Sequence, residues 1–106
     1  MLSLCPDPHA RIIAPAPNAE VSGRIPPRGT ATHDAFRYYK LEYAGGADAE
    51  TQFIYLGGGN APIINGMLAE FDTTTLPNGD YTLRLTVVDV SGNYPPPCQV
   101  TIKIRN

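Results

Sequence analysis

The residues able to do chemistry are few and scattered along the chain. His9 and His33 are the only side chains whose ordinary titration falls near neutrality, so general acid–base work would rest on them. A hydrolase also needs a nucleophile beside its base, and neither Pro8-His9-Ala10 nor Thr32-His33-Asp34 carries such a motif. His33-Asp34 therefore reads as an exposed loop pair. Of the carboxylates Glu42, Glu70, Asp72 and Asp89, period-two alternation puts Glu42 on an outward, solvated face, and nothing sets any pair at glycosidase separation. Gly57-Gly58-Gly59-Asn60 lacks the Lys-Ser/Thr ending of a phosphate loop and reads as a loop tip. Cys5 and Cys98 together with the two histidines offer no CxxC or HxxxH spacing for a closed metal site. Asp72, Asp80, Asp89 and Asn93 stand near turns, where they could ligate calcium through oxygen or cap the turn backbone. Capping explains them with fewer assumptions. Neither an enzymatic activity nor a cofactor is expected.

Recognition is better provided for than catalysis. Tyr38 and Tyr55, with Phe36 and Tyr94 nearby and Lys40 and Glu42 alongside, could form an aromatic surface that stacks on sugar rings or on a partner. Packing between sheets is the competing use of the same rings, and the absence of Trp weakens the sugar reading. A formal charge of -2 lacks the basic footprint that nucleic acid or an anionic membrane surface would require.

These groups must be held by short extended elements. Gly 10 and Pro 11 among 106 residues are too many breakers for a helical bundle, and no segment shows the apolar spacing of an amphipathic helix. Residues 10–14 read as a first strand stopped by Pro15 and Pro17, continued at 20–23. Residues 24–32 form a second, bulged at Pro26-Pro27 where two ladder donors are missing. Residues 36–43 alternate with Tyr39, Leu41 and Tyr43 on one face, and 51–56 make the return strand of a hairpin. Asn65-Gly66 reads as a two-residue turn ahead of a strand at 67–72. The clearest block is 81–89, with Tyr81, Leu83, Leu85 and Val87 apolar against Thr82, Arg84 and Thr86; Val100, Ile102 and Ile104 alternate in a last strand. Residues 1–9 are a lead-in and 10–106 one domain. The expected class is all-β, about seven antiparallel strands in two sheets.

Leu76-Pro77-Asn78-Gly79-Asp80-Tyr81 resembles the corner of immunoglobulin-like and fibronectin type III-like domains that delivers a Tyr to the start of a strand. The resemblance assigns Tyr81 a hydroxyl bond to backbone upstream, with Leu76 and Gly79 shaping the turn. Val87-Val88-Asp89-Val90-Ser91-Gly92-Asn93 is similar to a late turn of bacterial immunoglobulin-like modules, in which Asp89 and Asn93 bond their own backbone. Cys5-Pro6-Asp7-Pro8, Gly29-Thr30-Ala31-Thr32-His33, Tyr39-Lys40-Leu41-Glu42-Tyr43 and Pro97-Cys98-Gln99-Val100 resemble modules appended to envelope proteins of filamentous bacteria, including the C-terminal ends of class A penicillin-binding proteins. Leu83 occupies the place of the second inter-sheet Cys of antibody-type domains, so their disulfide is not expected. In such sandwiches the first and last strands commonly run side by side and parallel, which would carry Cys5 and Cys98 to one end of one ladder; two separate thiols are the alternative.

The resemblance implies a non-catalytic spacer or protein-contact module of a longer extracytoplasmic protein, partnered by neighbouring domains and by envelope protein or cell-wall glycan. The alternative is a glycan-binding module reading through Tyr38, Tyr55 and Lys40. Met1-Leu2-Ser3-Leu4-Cys5 has the Cys of a lipobox without its basic and apolar lead, so any signal or anchor is expected in the parent chain.

Overall fold

In the computed structural model, which describes residues 5–106, the alternating stretches of the sequence are strands. In chain order they are β1 (Ala10–Ala14), β2 (Glu20–Val21), β3 (Arg24–Ile25), β4 (Arg28–Ala31), β5 (Phe36–Gly45), β6 (Ile54–Gly59), β7 (Ile63–Met67), β8 (Phe71–Asp72), β9 (Gly79–Asp89) and β10 (Cys98–Ile104). A single 3-10 turn, Thr73–Thr75, is the sole helical element among the described residues. The lipobox-like residues 1–4, and that part of the lead-in, lie outside the described residues.

Three sheets result: β2-β10-β9-β5-β6, β1-β4-β7 and the pair β3-β8. The pair continues the β4–β7 ladder beyond an interruption, since Pro26 and Pro27 have no amide to donate. The Pro27 carbonyl takes the Leu68 amide at 2.8 Å and carries the ladder across the gap. The first stretch of chain serves two sheets. β1 pairs antiparallel with β4; after the cis Ala14–Pro15 bond, β2 pairs parallel with β10, Glu20 opposite Lys103 and Val21 opposite Ile104.

The apolar face of β9 (Tyr81, Leu83, Leu85, Val87) joins Tyr39 and Leu41 of β5 and Val100, Ile102 and Ile104 of β10 in one buried cluster. Ala10, Ile12 and Ala31 of the three-stranded sheet close it from the other side, with Leu68 and Phe71. Leu41, Leu83, Leu85 and Ile102 are fully buried, each contributing about 1.5–3 kcal/mol relative to exposure.

Three expectations need correction. The glycines at 57–59 are not a loop tip: they are the second half of β6, paired with Leu41, Lys40 and Tyr39, and the return strand begins at Ile54 rather than at 51. Glycine is required there because a Cβ on Gly58 would overlap the Tyr39 carbonyl oxygen. Asn65-Gly66 is not a turn before a strand; both residues lie inside β7, Asn65 at φ 47° and Gly66 opposite Gly29, so the dipeptide irregularises a strand instead of starting one. The strand expected at 67–72 is accordingly the end of β7 and β8, separated by residues 68–70.

Candidate functional site

On the outward face of the five-stranded sheet, aromatic and cationic side chains converge. Register places Tyr38 beside Val88, Lys40 beside Thr86 and Glu42 beside Arg84, so alternate residues of β5 and β9 share that face. The turn after β9 adds Gly92, Tyr94 and Pro97, and together with Tyr38, Lys40, Arg84, Thr86 and Val88 they line a shallow depression of about 220 Å³. Tyr94 is 61% exposed at its rim. The volume is below the 300–1,000 Å³ typical of drug-sized ligands, and suits a single ring.

The other half of this face is covered by the chain itself. The 46–53 loop lies across it: the Asp48 amide donates to Thr101 Oγ1 (3.1 Å), the Ala49 amide to Thr82 Oγ1 (2.9 Å), and the Thr82 hydroxyl to the Gly46 carbonyl (2.8 Å). Glu42, expected on a solvated face, is only 8% exposed for this reason. Its Oε1 accepts from Arg84 Nη2 (3.0 Å) and Nε (3.2 Å), Lys40 Nζ stands 3.8 Å from Oε2, and the Arg84 guanidinium lies 3.7 Å from the centre of the Phe53 ring. One carboxylate against two cations leaves a net positive charge beside the Tyr38 and Tyr94 phenols. Such a surface can stack a flat ring and attract an acidic group.

Tyr55 does not join the depression. It sits opposite Glu42 on edge strand β6, 63% exposed, with its hydroxyl beside Gly58. Phe36, considered for the same surface, packs half-buried against the core.

Both histidines meet at one end of the molecule, where Asp7, His9, His33 and Asp34 line a depression of about 250 Å³. Asp7 Oδ1 accepts the His9 amide (2.9 Å) and lies 3.0 Å from His9 Nδ1. The backbone bond holds the Asp7 carboxyl below its ordinary range. His33 Nδ1 accepts the Ala35 amide at 2.9 Å, leaving Nε2 toward Asp89, 4.0 Å away. His33 is thus more than an exposed loop residue. Their meeting was readable in principle: antiparallel pairing of Ala10 with Ala31 brings the residues just outside each strand together, and the Thr32 amide bonds the His9 carbonyl. Among the described residues, no serine, threonine or cysteine lines this depression.

The turn residues act on backbone. The Tyr81 hydroxyl donates to the Pro77 carbonyl at 2.7 Å, the Leu76 amide to the Thr73 carbonyl, and Gly79 takes φ 149°. Asp89 Oδ1 accepts the Ser91 and Asn93 amides, while the Asn93 carbonyl accepts the Asp89 amide. Asp72 accepts from Thr74, side chain and amide, which lowers its carboxyl below the usual range. Asp80 and Asp89 lie near opposite ends of β9, so the oxygen donors weighed for calcium do not all converge, and no group of three His, Cys, Asp or Glu side chains placed to hold a metal ion occurs among the described residues.

Cys5 and Cys98 are joined in a disulfide that encloses nearly the whole chain, a separation of 93 residues. Cys98 is completely buried at the start of β10, and its sulfur accepts the Ile12 amide at 3.2 Å.

No family model, curated protein or solved structure matches this chain.

Proposed function

We propose that this chain is a non-catalytic immunoglobulin-like, fibronectin type III-like module of a longer extracytoplasmic bacterial protein, serving as a spacer or protein-contact domain for a catalytic neighbour such as a cell-wall synthesis enzyme. Joining β3 with β4 and β7 with β8 as interrupted single strands leaves seven long segments, three in one layer and four in the other, with β2 as an added edge. The division of the first stretch between both sheets and the Tyr81–Pro77 corner support the same assignment. The long-range disulfide suits an oxidising compartment, and among the described residues no helix is long and apolar enough to cross a membrane.

One observation carries the spacer role. Cys5 is tied to the first residue of β10 and Asn106 lies beyond its last, so these two residues are held at opposite ends of one strand. Asn106 is itself anchored: its amide donates to Asn78 Oδ1 (2.9 Å) and its side-chain amide to the Thr73 carbonyl (2.7 Å). Neighbours attached there are held at a fixed separation.

The depression between Tyr38 and Tyr94 favours a second reading, glycan binding, with Lys40 as the cation for an acidic sugar. Titration with soluble peptidoglycan fragments, followed by amide shifts, separates the two. Silence across the titration is the result expected of a spacer. Saturable shifts confined to Tyr38, Lys40 and Tyr94 would replace it with glycan recognition.

A further inference from the structure

We propose that the disulfide makes this module a tension-bearing strut that does not lengthen, because pull applied through the chain ends bypasses almost all of the fold. This rests on the spacer reading for its biological use, but the mechanics follow from connectivity alone.

Tension entering on the N-terminal side reaches Cys5, crosses to Cys98 and runs along β10 to Asn106. The chain between the two cysteines, β1 through β9, is a closed loop hanging from that path. Its hydrogen bonds to β10 carry no pull, since neither β2 nor β9 is attached to an anchor except through the tie. The strand in the path has little length to yield. Cys98–Ile104 is already extended at about 3.3 Å per residue, close to the limit of a peptide chain.

Breaking the tie changes the path. An added dithiol supplies two electrons, closing its own disulfide and leaving Cys5 and Cys98 as thiols. Pull then enters at β1 and reaches β10 through the short parallel pairing of Glu20 and Val21 with Lys103 and Ile104. Around it stand three further backbone bonds, Lys103 to Ala19, Arg105 to Val21 and Asn18 to Thr101. Once that contact shears, the 93 residue steps formerly enclosed join the path and add about 300 Å.

Optical-tweezer stretching of the chain held by handles outside Cys5 and Asn106 tests this. The oxidised protein should show no extension step beyond about 5 Å, since nine residues at about 3.3 Å each can lengthen to at most about 3.6 Å each. After reduction each molecule should give one release on the order of 300 Å at moderate force. A release of that size from oxidised protein, verified by mass as disulfide-bonded, overturns the proposal, as does a reduced protein that stays as short as the oxidised one. Because the oxidised arm needs no substitution, a Cys98→Ser variant that fails to fold does not affect the outcome. If the strut behaves as described but the module can be excised from its parent without consequence, the spacer reading fails and the tension path stands.

Discussion

Arg84 and Glu42 show how one residue pair joins the sheet to its covering loop. Glu42 is nearly buried and depends on Arg84 for two hydrogen bonds, while Arg84 also stacks on Phe53 of the loop. Arg84→Ala should destabilise by about 2 kcal/mol in denaturant unfolding, because it strands a carboxylate with few alternatives. Arg84→Lys should recover only part, lacking the planar fork and the stack. Tyr39 gives a pH signature. Its hydroxyl donates to the Leu68 carbonyl at 2.7 Å, and burial, with a smaller contribution from Tyr55, raises its ionisation above the ordinary tyrosine value. A raised acid favours the fold fully below the unfolded value of about 10 and loses that contribution as pH climbs through the folded value. Ultraviolet titration should find a late phase from Tyr39 coupled to alkaline unfolding, and Tyr39→Phe should remove that phase. For Asp7 and Asp72 the sign reverses: both are lowered, so their contribution is present above the unfolded carboxylate value and disappears as pH falls through the lower folded ones.

At the scale of elements, strands whose alternation faces one packed layer were legible in the sequence. β5, β9 and β10 follow the period-two pattern because each has one face in the core, and β1 was legible as a short apolar run stopped by Pro15. β6 and β7 were misplaced because they are edge strands: with half their surface exposed, their composition is free to include Gly57-Gly58-Gly59 and Asn65-Gly66, which elsewhere mark turns. The face carrying Tyr38 and Lys40 was readable from alternation, but its partial burial was not, since nothing in residues 46–53 announces that they fold back onto Thr82 and Thr101. Glycines supply a test of the strand pairing. A Cβ on Gly29 would overlap the Arg11 carbonyl oxygen of the neighbouring strand, whereas one on Gly45 meets nothing within 4 Å. Gly29→Ala should therefore cost about 3 kcal/mol through displacement of β1 from β4, and Gly45→Ala no more than about 0.5 kcal/mol, both read from thermal and denaturant melts.

The described residues form a small set of sheets tied by one covalent bond between Cys5 and Cys98. Reduction should lower unfolding stability by about 2–5 kcal/mol, a loss that comparison of oxidised and reduced melts will measure; a loss near zero would mean that the core alone fixes the ends. With Cys5 tied to the start of β10 and Asn106 beyond its last residue, the spacer role proposed above predicts that the module gives a larger protein distance and stiffness. The most direct measurement is the activity of the parent protein after this module is exchanged for an unrelated compact domain of equal end-to-end span. Retained activity, with loss on simple excision, is the predicted result. Loss of activity despite matched span would contradict a spacer and require that a surface of this chain, such as the Tyr38–Tyr94 depression, be recognised for itself.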